Sequence, residues 1–402
     1  MMKFAMLSHV LPPSPSGQAV MLYRILSGIC QDDYYLIHSR IFPQVIHNEN
    51  HIFELQARVY SLSAEPIFSR PKGFGLGRIR NLLNLFLQIY VRSKNIANIL
   101  RQEPETTALI ACSGDFVDIP AGYLAGRMLK LPFYAYIFDD YVFQWVGIQR
   151  WVAKLIAPSI FKHSAGIIGP NEFICEEYKL RYGVKTILIR NPCDKVELEK
   201  EPHIRTQAQD SKIKIIYTGA IYHANFDCFR NLIKVIDLLW EYPLELHIFS
   251  DQTREQLESQ GIQSEKMFIH SHVPYREILE QQRNANILFL PLAFESPITE
   301  VIRTSAPGKL GEYLASGSPV LAHVPANSFV AYYLKKNQCG LVASENDTVH
   351  LKDHILKLIN DEGFCREMTQ NAYRIAQFDF DPQVSCQELV DFLLTNMHRN
   401  LE

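Results

Sequence analysis

The chain has 402 residues and a formal net charge of -3, which gives no global reason to expect nucleic acid as a partner. Its 47% hydrophobic and 21% charged composition is that of a globular protein, without an apolar run long enough to span a bilayer, and its length calls for two domains. Eight cysteines without a Cys-x-x-Cys pair argue against zinc knuckles and a disulfide framework, and point to reduced thiols in the cytoplasm.

Residues 1–8 lack the pattern of an export signal, and 4–8 read as a first strand. That strand runs through a Pro12-Pro13 turn into Ser16-Gly17 and a helix with apolar Val20, Leu22, Tyr23 and Leu26. Gly17 permits close backbone approach and the helix start offers unpaired N–H groups, so the turn is either an anion site or a proline-stiffened N-cap. A strand at 34–37 follows.

From 67 to 102 the chain holds Arg70, Lys72, Arg78, Arg80, Arg92, Lys94 and Arg101 but no acidic residue. Leu82, Leu85, Phe86, Ile89, Ile96 and Leu100 follow helical spacing. Two placements fit: a basic amphipathic helix lying on anionic membrane through 70–101, or a helix packed on the core with a solvated basic side. The stretch Lys72-Gly73-Phe74-Gly75-Leu76-Gly77 lacks the dinucleotide fingerprint and reads as a loop.

Strands are expected at 108–112, 133–138, 165–169 and 186–189. Asp139 and Asp140, at the end of the second of these strands, can bind ligand hydroxyls or act as a base, or else cap the next helix; their spacing is not that of a metal motif. Trp145 and Trp151 beside Arg150 and Lys154 form an aromatic-basic surface for a ligand, a bilayer or packing. Residues 1–193 make the first domain, polar 194–211 the linker, and 212–376 the second domain. The second domain has strands at 214–218, 245–249, 267–270, 287–290, 319–322 and 340–343. A helix in 377–402 is expected to cross back. Strands alternating with helices imply two Rossmann-like α/β domains with parallel sheets, facing a central cleft.

Within 299–320, Pro307 stands just before a helix containing Lys309 and Glu312, and Gly317 ends it. Arg303 and Lys309 can neutralise a diphosphate, and a carboxylate such as Glu312 accepts two hydroxyl hydrogen bonds side by side; the alternative is a solvated helix face. With the Pro-Pro, Ser-Gly opening and the glycine-ended strand Ile216-Tyr217-Thr218-Gly219, these residues resemble glycosyltransferase family 4, a retaining, sugar-nucleotide-dependent family of GT-B fold.

The resemblance implies a nucleoside diphosphate sugar as donor substrate, with no cofactor or metal. Its diphosphate would lie at the helix start, near Ser305, Gly308 and Leu310, with Glu312 on the ribose, and the loops of Gly17 and Gly219 would face the donor. A backbone amide in 271–275, at Val273, would read the base. The family carries a first glutamate eight positions before Glu312, where this chain has Thr304. Thr304 or Ser305, or Glu295 or Glu300 from nearby, would then contact the transferred sugar. Phe138 replaces a histidine, and the basic residues usual after Gly219 give way to a loop with Tyr222, His223 and Asn225.

The implied activity is transfer of a hexose-type sugar to a glycan, lipid-linked or small-molecule hydroxyl, in polysaccharide or glycoconjugate synthesis at the inner face of the membrane. Arg303 and Lys309, with Asp139 or Asp140, are its candidate catalytic residues. A sugar-nucleotide epimerase or hydrolase of the same fold, or a donor-binding subunit without turnover, are the competing functions. An NAD-dependent oxidoreductase is disfavoured, because neither sheet opens with the dinucleotide fingerprint.

Overall fold

A computed structural model describes residues 2–14, 16–39, 53–63, 65, 76–200, 212–271 and 273–399. The chain divides into two compact units, Met1–Asn191 with Pro382–Glu402, and Pro192–Asp381. Both are built on parallel sheets wound with helices.

The first unit contains β1 (Phe4–Ser8), α1 (Gly17–Leu26), β2 (Tyr34–His38), β3 (Val59–Ser61), α2 (Leu76–Gln102), β4 (Ala108–Cys112), α3 (Asp118–Leu129) and β5 (Phe133–Tyr136). It continues with α4 (Gly147–Lys162), β6 (Gly166–Gly169), α5 (Glu172–Tyr182) and β7 (Thr186–Leu188). The sheet order is β3-β2-β1-β4-β5-β6-β7. Nearly every residue of β1, β4 and β5 is buried, as expected for parallel strands covered on both faces. The edge strand β3 was not foreseen: it is short, largely exposed and lacks an apolar run. β5 ends two residues earlier than expected, because Ser113 Oγ accepts the Phe138 N–H at 2.8 Å and draws the chain off the sheet.

Helix α2 divides the apolar residues expected on it, with Phe86 exposed and most of the others turned inward. Leu85, Ile89, Ile96 and Leu100 are buried in the core shared with α3, α4 and α5, so this stripe faces the protein. Arg92 is buried as well. Its guanidinium bonds Asp115 and Asp118 at 2.6 Å each and pairs with Glu65, tying α2 to the start of α3. Leu76 and Gly77 open this helix instead of closing the expected loop, while 66–75, with Arg70 and Lys72, lie outside the described residues.

The second unit runs α6 (Lys195–Glu199), β8 (Ile213–Thr218), α7 (Phe226–Leu238), β9 (Leu244–Phe249), α8 (Arg254–Glu258), β10 (Met267–His270), α9 (Tyr275–Arg283) and β11 (Ile287–Pro291). Then come α10 (Thr299–Thr304), α11 (Lys309–Ala315), β12 (Val320–His323), α12 (Phe329–Asn337), β13 (Leu341–Ala343), α13 (Thr348–Asn360) and α14 (Glu362–Asp379). Its sheet order is β10-β9-β8-β11-β12-β13. Of the stretch expected as a linker, 195–199 is helical, capped by the Asp194 side chain, and 201–211 lies outside the described residues.

The last helix, α15 (Pro382–Arg399), belongs to the first unit. It packs on α1, and Leu389, Phe392 and Leu393 enter the core beside Phe4, Met6 and Tyr134. Gly166 makes room for it: a Cβ there would stand 2.5 Å from Phe392 Cζ.

Candidate nucleotide site

In each sheet the winding direction reverses once, between β1 and β4 and between β8 and β11, and ligands of doubly wound sheets bind outside the strand ends at such points. In the second unit β8 ends at Thr218, and Gly219 follows with φ of 120°. That conformation strains any other residue, and a Cβ would stand 2.9 Å from Lys309 Nζ. The Gly219 N–H donates to the Phe249 carbonyl at 2.9 Å, which fixes the loop's course.

Lys309 opens α11, and its ammonium lies 3.9 Å from the centroid of the Tyr217 ring. Among the described residues it has neither an ion pair nor a hydrogen bond. Burial pushes its pKa down from 10.5 to about 7, with Glu312 pulling the other way. Tyr217 is held from behind, its hydroxyl donating to the Ala220 carbonyl at 2.7 Å and accepting from the Asn225 amide at 3.2 Å. Asn225 is thus committed to the loop's own structure, whereas Tyr222 and His223 are exposed.

Glu312 follows one turn later on α11 and is half-buried. The Tyr275 hydroxyl donates to its Oε1 at 3.0 Å, and Gln282 Nε2 reaches Oε2 at 3.4 Å and Thr218 Oγ1 at 3.2 Å. The Tyr313 hydroxyl accepts the Thr218 N–H at 2.9 Å, joining α11 to the end of β8. Tyr275 and Gln282 were missed at the level of sequence. With buried Leu279 they share one face of α9 at i, i+4 and i+7, a pattern that places a hydroxyl and an amide on an otherwise apolar stripe. Val273, half-buried, stands two residues before Tyr275; its neighbour His272 lies outside the described residues.

The segment before α11 is less open than its sequence suggests. Thr304 is buried, and its hydroxyl donates back to the carbonyls of Glu300 at 3.1 Å and Val301 at 3.4 Å. Ser305 caps the carboxyl end of α10 and is half-buried, as are Arg303 and Glu300, while Glu295 is exposed. Gly308 caps α11 without a side chain, and the Leu310 N–H already donates to the Pro307 carbonyl at 2.9 Å.

In the first unit, Ser16 accepts the Ala19 N–H at 3.4 Å and so caps α1, with Gly17 as the first helical residue. A Cβ at Gly17 would meet nothing within 4 Å. The glycine that this loop needs is Gly114, with φ of 120°, where a Cβ would stand 2.5 Å from the His9 ring and 2.6 Å from Gln18 Oε1. Asp140 is fully buried, pairs with Arg181, and accepts the N–H groups of Val142 at 2.9 Å and Phe143 at 3.2 Å. It caps the turn that follows β5, while the cap of α4 is Val146, and its carboxylate is already engaged by Arg181. Asp139 is exposed.

Residues 212–361, within the second unit, match the family model described as glycosyl transferases group 1. Gly219, Tyr275, Gln282, Lys309 and Glu312 all fall inside the matched stretch. No curated protein matches the chain. Among solved structures, a glycosyltransferase from Rickettsia africae ESF-5 superposes with a TM-score of 0.67 at 13% identity, over 98% of this chain and 99% of that one. Sucrose-phosphate synthase from Thermosynechococcus elongatus gives 0.67 at 14%, over 100% and 99%. Anabaena HepE in complex with UDP and glucose gives 0.65 at 14%, over 98% and 100%. Two parallel-sheet units of seven and six strands, matched over nearly whole chains, make the fold GT-B.

Proposed function

We propose that the protein is a retaining glycosyltransferase that moves a hexose-type sugar from a nucleoside diphosphate donor to a hydroxyl of a glycan, lipid-linked or small-molecule acceptor. Synthesis of polysaccharide or glycoconjugate on the cytoplasmic side of a membrane suits such an activity. The observation that carries this reading is Lys309: an ammonium held against Gly219 and the Tyr217 ring with no anion paired to it among the described residues. A half-buried cation in that condition gains from a phosphate, and most when charge builds on the departing diphosphate.

The group 1 domain in 212–361 and the UDP complex of the similarly folded HepE support a nucleotide-sugar donor. Glu312 would accept the ribose hydroxyls and Arg303 would share the diphosphate charge. The bond between the anomeric carbon and the diphosphate oxygen breaks, a bond to the acceptor oxygen forms, and the acceptor proton leaves to a base. Asp139, the exposed member of its pair, serves the acceptor side. Retention of configuration follows from the family resemblance.

The test is a thermal-shift panel of UDP, GDP, ADP and TDP sugars on the wild type and on Lys309→Ala, followed by product analysis with the stabilising donor. Sugar transfer that depends on Lys309 supports the proposal. Donor binding without transfer to any acceptor, or donor consumption without an acceptor, would replace it with a binding subunit or with an epimerase or hydrolase.

A further inference from the structure

Helices α2, α3 and α4 pack side by side over one face of the first unit's sheet and share one core. Their outward side is unusual. On α2, Ile79, Leu83, Phe86 and Tyr90 are exposed, with Ile79 and Leu83 each 58% accessible. Their spacing of four, three and four residues puts them on one stripe, separate from the buried stripe of Leu85, Ile89 and Ile96. On α4, Trp151 is 59% and Leu155 62% accessible, four residues apart, and Val146 lies exposed just before the helix. Leu124 and Met128 add a smaller exposed pair on α3, between them.

The charge on this side has one sign. Neither α2 nor α4 contains an aspartate or glutamate, and the single acid of α3, Asp118, is buried against Arg92. Lys94, Arg101, Arg127, Lys130, Lys154 and Lys162, on these helices or at their ends, are exposed, with Lys94 over the Tyr90 ring. Among the described residues no helix is long and apolar enough to cross a membrane. Exposed aromatic and aliphatic side chains framed by cations alone match an anionic lipid surface, where the rings enter the headgroup boundary and the cations meet lipid phosphates.

We infer that the outer face of α2, α3 and α4 rests on an anionic bilayer. This deepens the reading above by placing the acceptor on a lipid, and its purpose rests on that reading; the binding itself does not.

The experiment is flotation of the full chain with vesicles of phosphatidylglycerol or of phosphatidylcholine, at low and high salt. It uses the wild type, Leu83→Glu/Phe86→Glu and Trp151→Ala/Lys154→Glu, with thermal unfolding as the control for folding. Binding to phosphatidylglycerol vesicles that falls with salt, and drops about tenfold or more in each double variant, is expected. Absence of vesicle binding, or binding unaltered by both variants, overturns the inference. So does a concentration-dependent dimer that these substitutions dissolve without any vesicle binding, since the face would then serve a second copy of the chain. Nucleotide stabilisation through Lys309, measured without vesicles, reports separately on the glycosyltransferase reading.

Discussion

The Lys309 ammonium sits 3.9 Å from the centroid of the Tyr217 ring, inside the helix that also carries Glu312, with Gly219 closing the space beside it. Replacing Lys309 by Ala should lower turnover about a hundredfold to a thousandfold, the cost of removing one preorganised group that stabilises transition-state charge. The thermal midpoint without ligand should not fall, because the folded state no longer encloses a cation. Near-normal transfer by the variant would remove Lys309 from the chemistry.

A pH signature follows from the lowered pKa. Between about 7 and 10.5 the unfolded chain holds the Lys309 proton and the folded, empty site does not, so this residue's contribution to stability declines as pH falls through that window. Binding of a diphosphate reverses the preference. Calorimetry of UDP binding above pH 7, in buffers of different ionisation heat, should therefore show proton uptake in the wild type and none in Lys309→Ala.

Tyr275→Phe removes the hydroxyl that holds Glu312 Oε1. If that bond aims the carboxylate at ribose, the variant should bind UDP about fivefold more weakly, roughly the worth of one hydrogen bond, and bind 2′,3′-dideoxy-UDP as the wild type does. An equal loss for both nucleotides would mean that Tyr275 only stiffens α9.

Gly219→Ala places a side chain at φ of 120° and brings its Cβ to 2.9 Å from Lys309 Nζ. Strain of about 1 to 3 kcal/mol should appear in chemical denaturation. The loss of nucleotide affinity should exceed that of Gly17→Ala, whose Cβ meets nothing within 4 Å.

Arg92→Leu leaves Glu65, Asp115 and Asp118 facing one another without their shared cation. Destabilisation of about 3 to 5 kcal/mol is expected near neutral pH. In the wild type, burial first and Asp115 second raise the Asp118 carboxyl from 3.8 to about 7. Its proton is thus bound more tightly in the folded state; that stabilisation is complete below 3.8 and is lost as pH rises through about 7. The variant should lose stability more steeply with rising pH, which denaturation at pH 5 and pH 8 would measure.

Strand and helix alternation was legible because parallel strands buried on both faces leave continuous apolar runs, as in β1, β4 and β11. The exposed edge strand β3 leaves no such run. In α2 both sides carry apolar residues, so spacing alone could not tell the core stripe through Leu85 from the outer stripe through Leu83. Lys309 and Glu312 were visible because one short helix holds both. Their partners Tyr217, Tyr275 and Gln282 come from other elements and meet them only through the fold. The pairing of Asp140 was hidden for the same reason: Arg181 lies 41 residues away.

The return of α15 to the first unit bears on how the protein is made. The core around Tyr134 needs Leu389, Phe392 and Leu393, each worth about 1.5 to 3 kcal/mol when buried. On the ribosome all of the second unit, Pro192–Asp381, is synthesised before those side chains exist. The second unit can therefore finish folding while the first still exposes the apolar floor that α15 will cover. Chain growth thus completes the two units in the reverse of their sequence order, and the first unit's apolar floor stays uncovered until the last helix emerges.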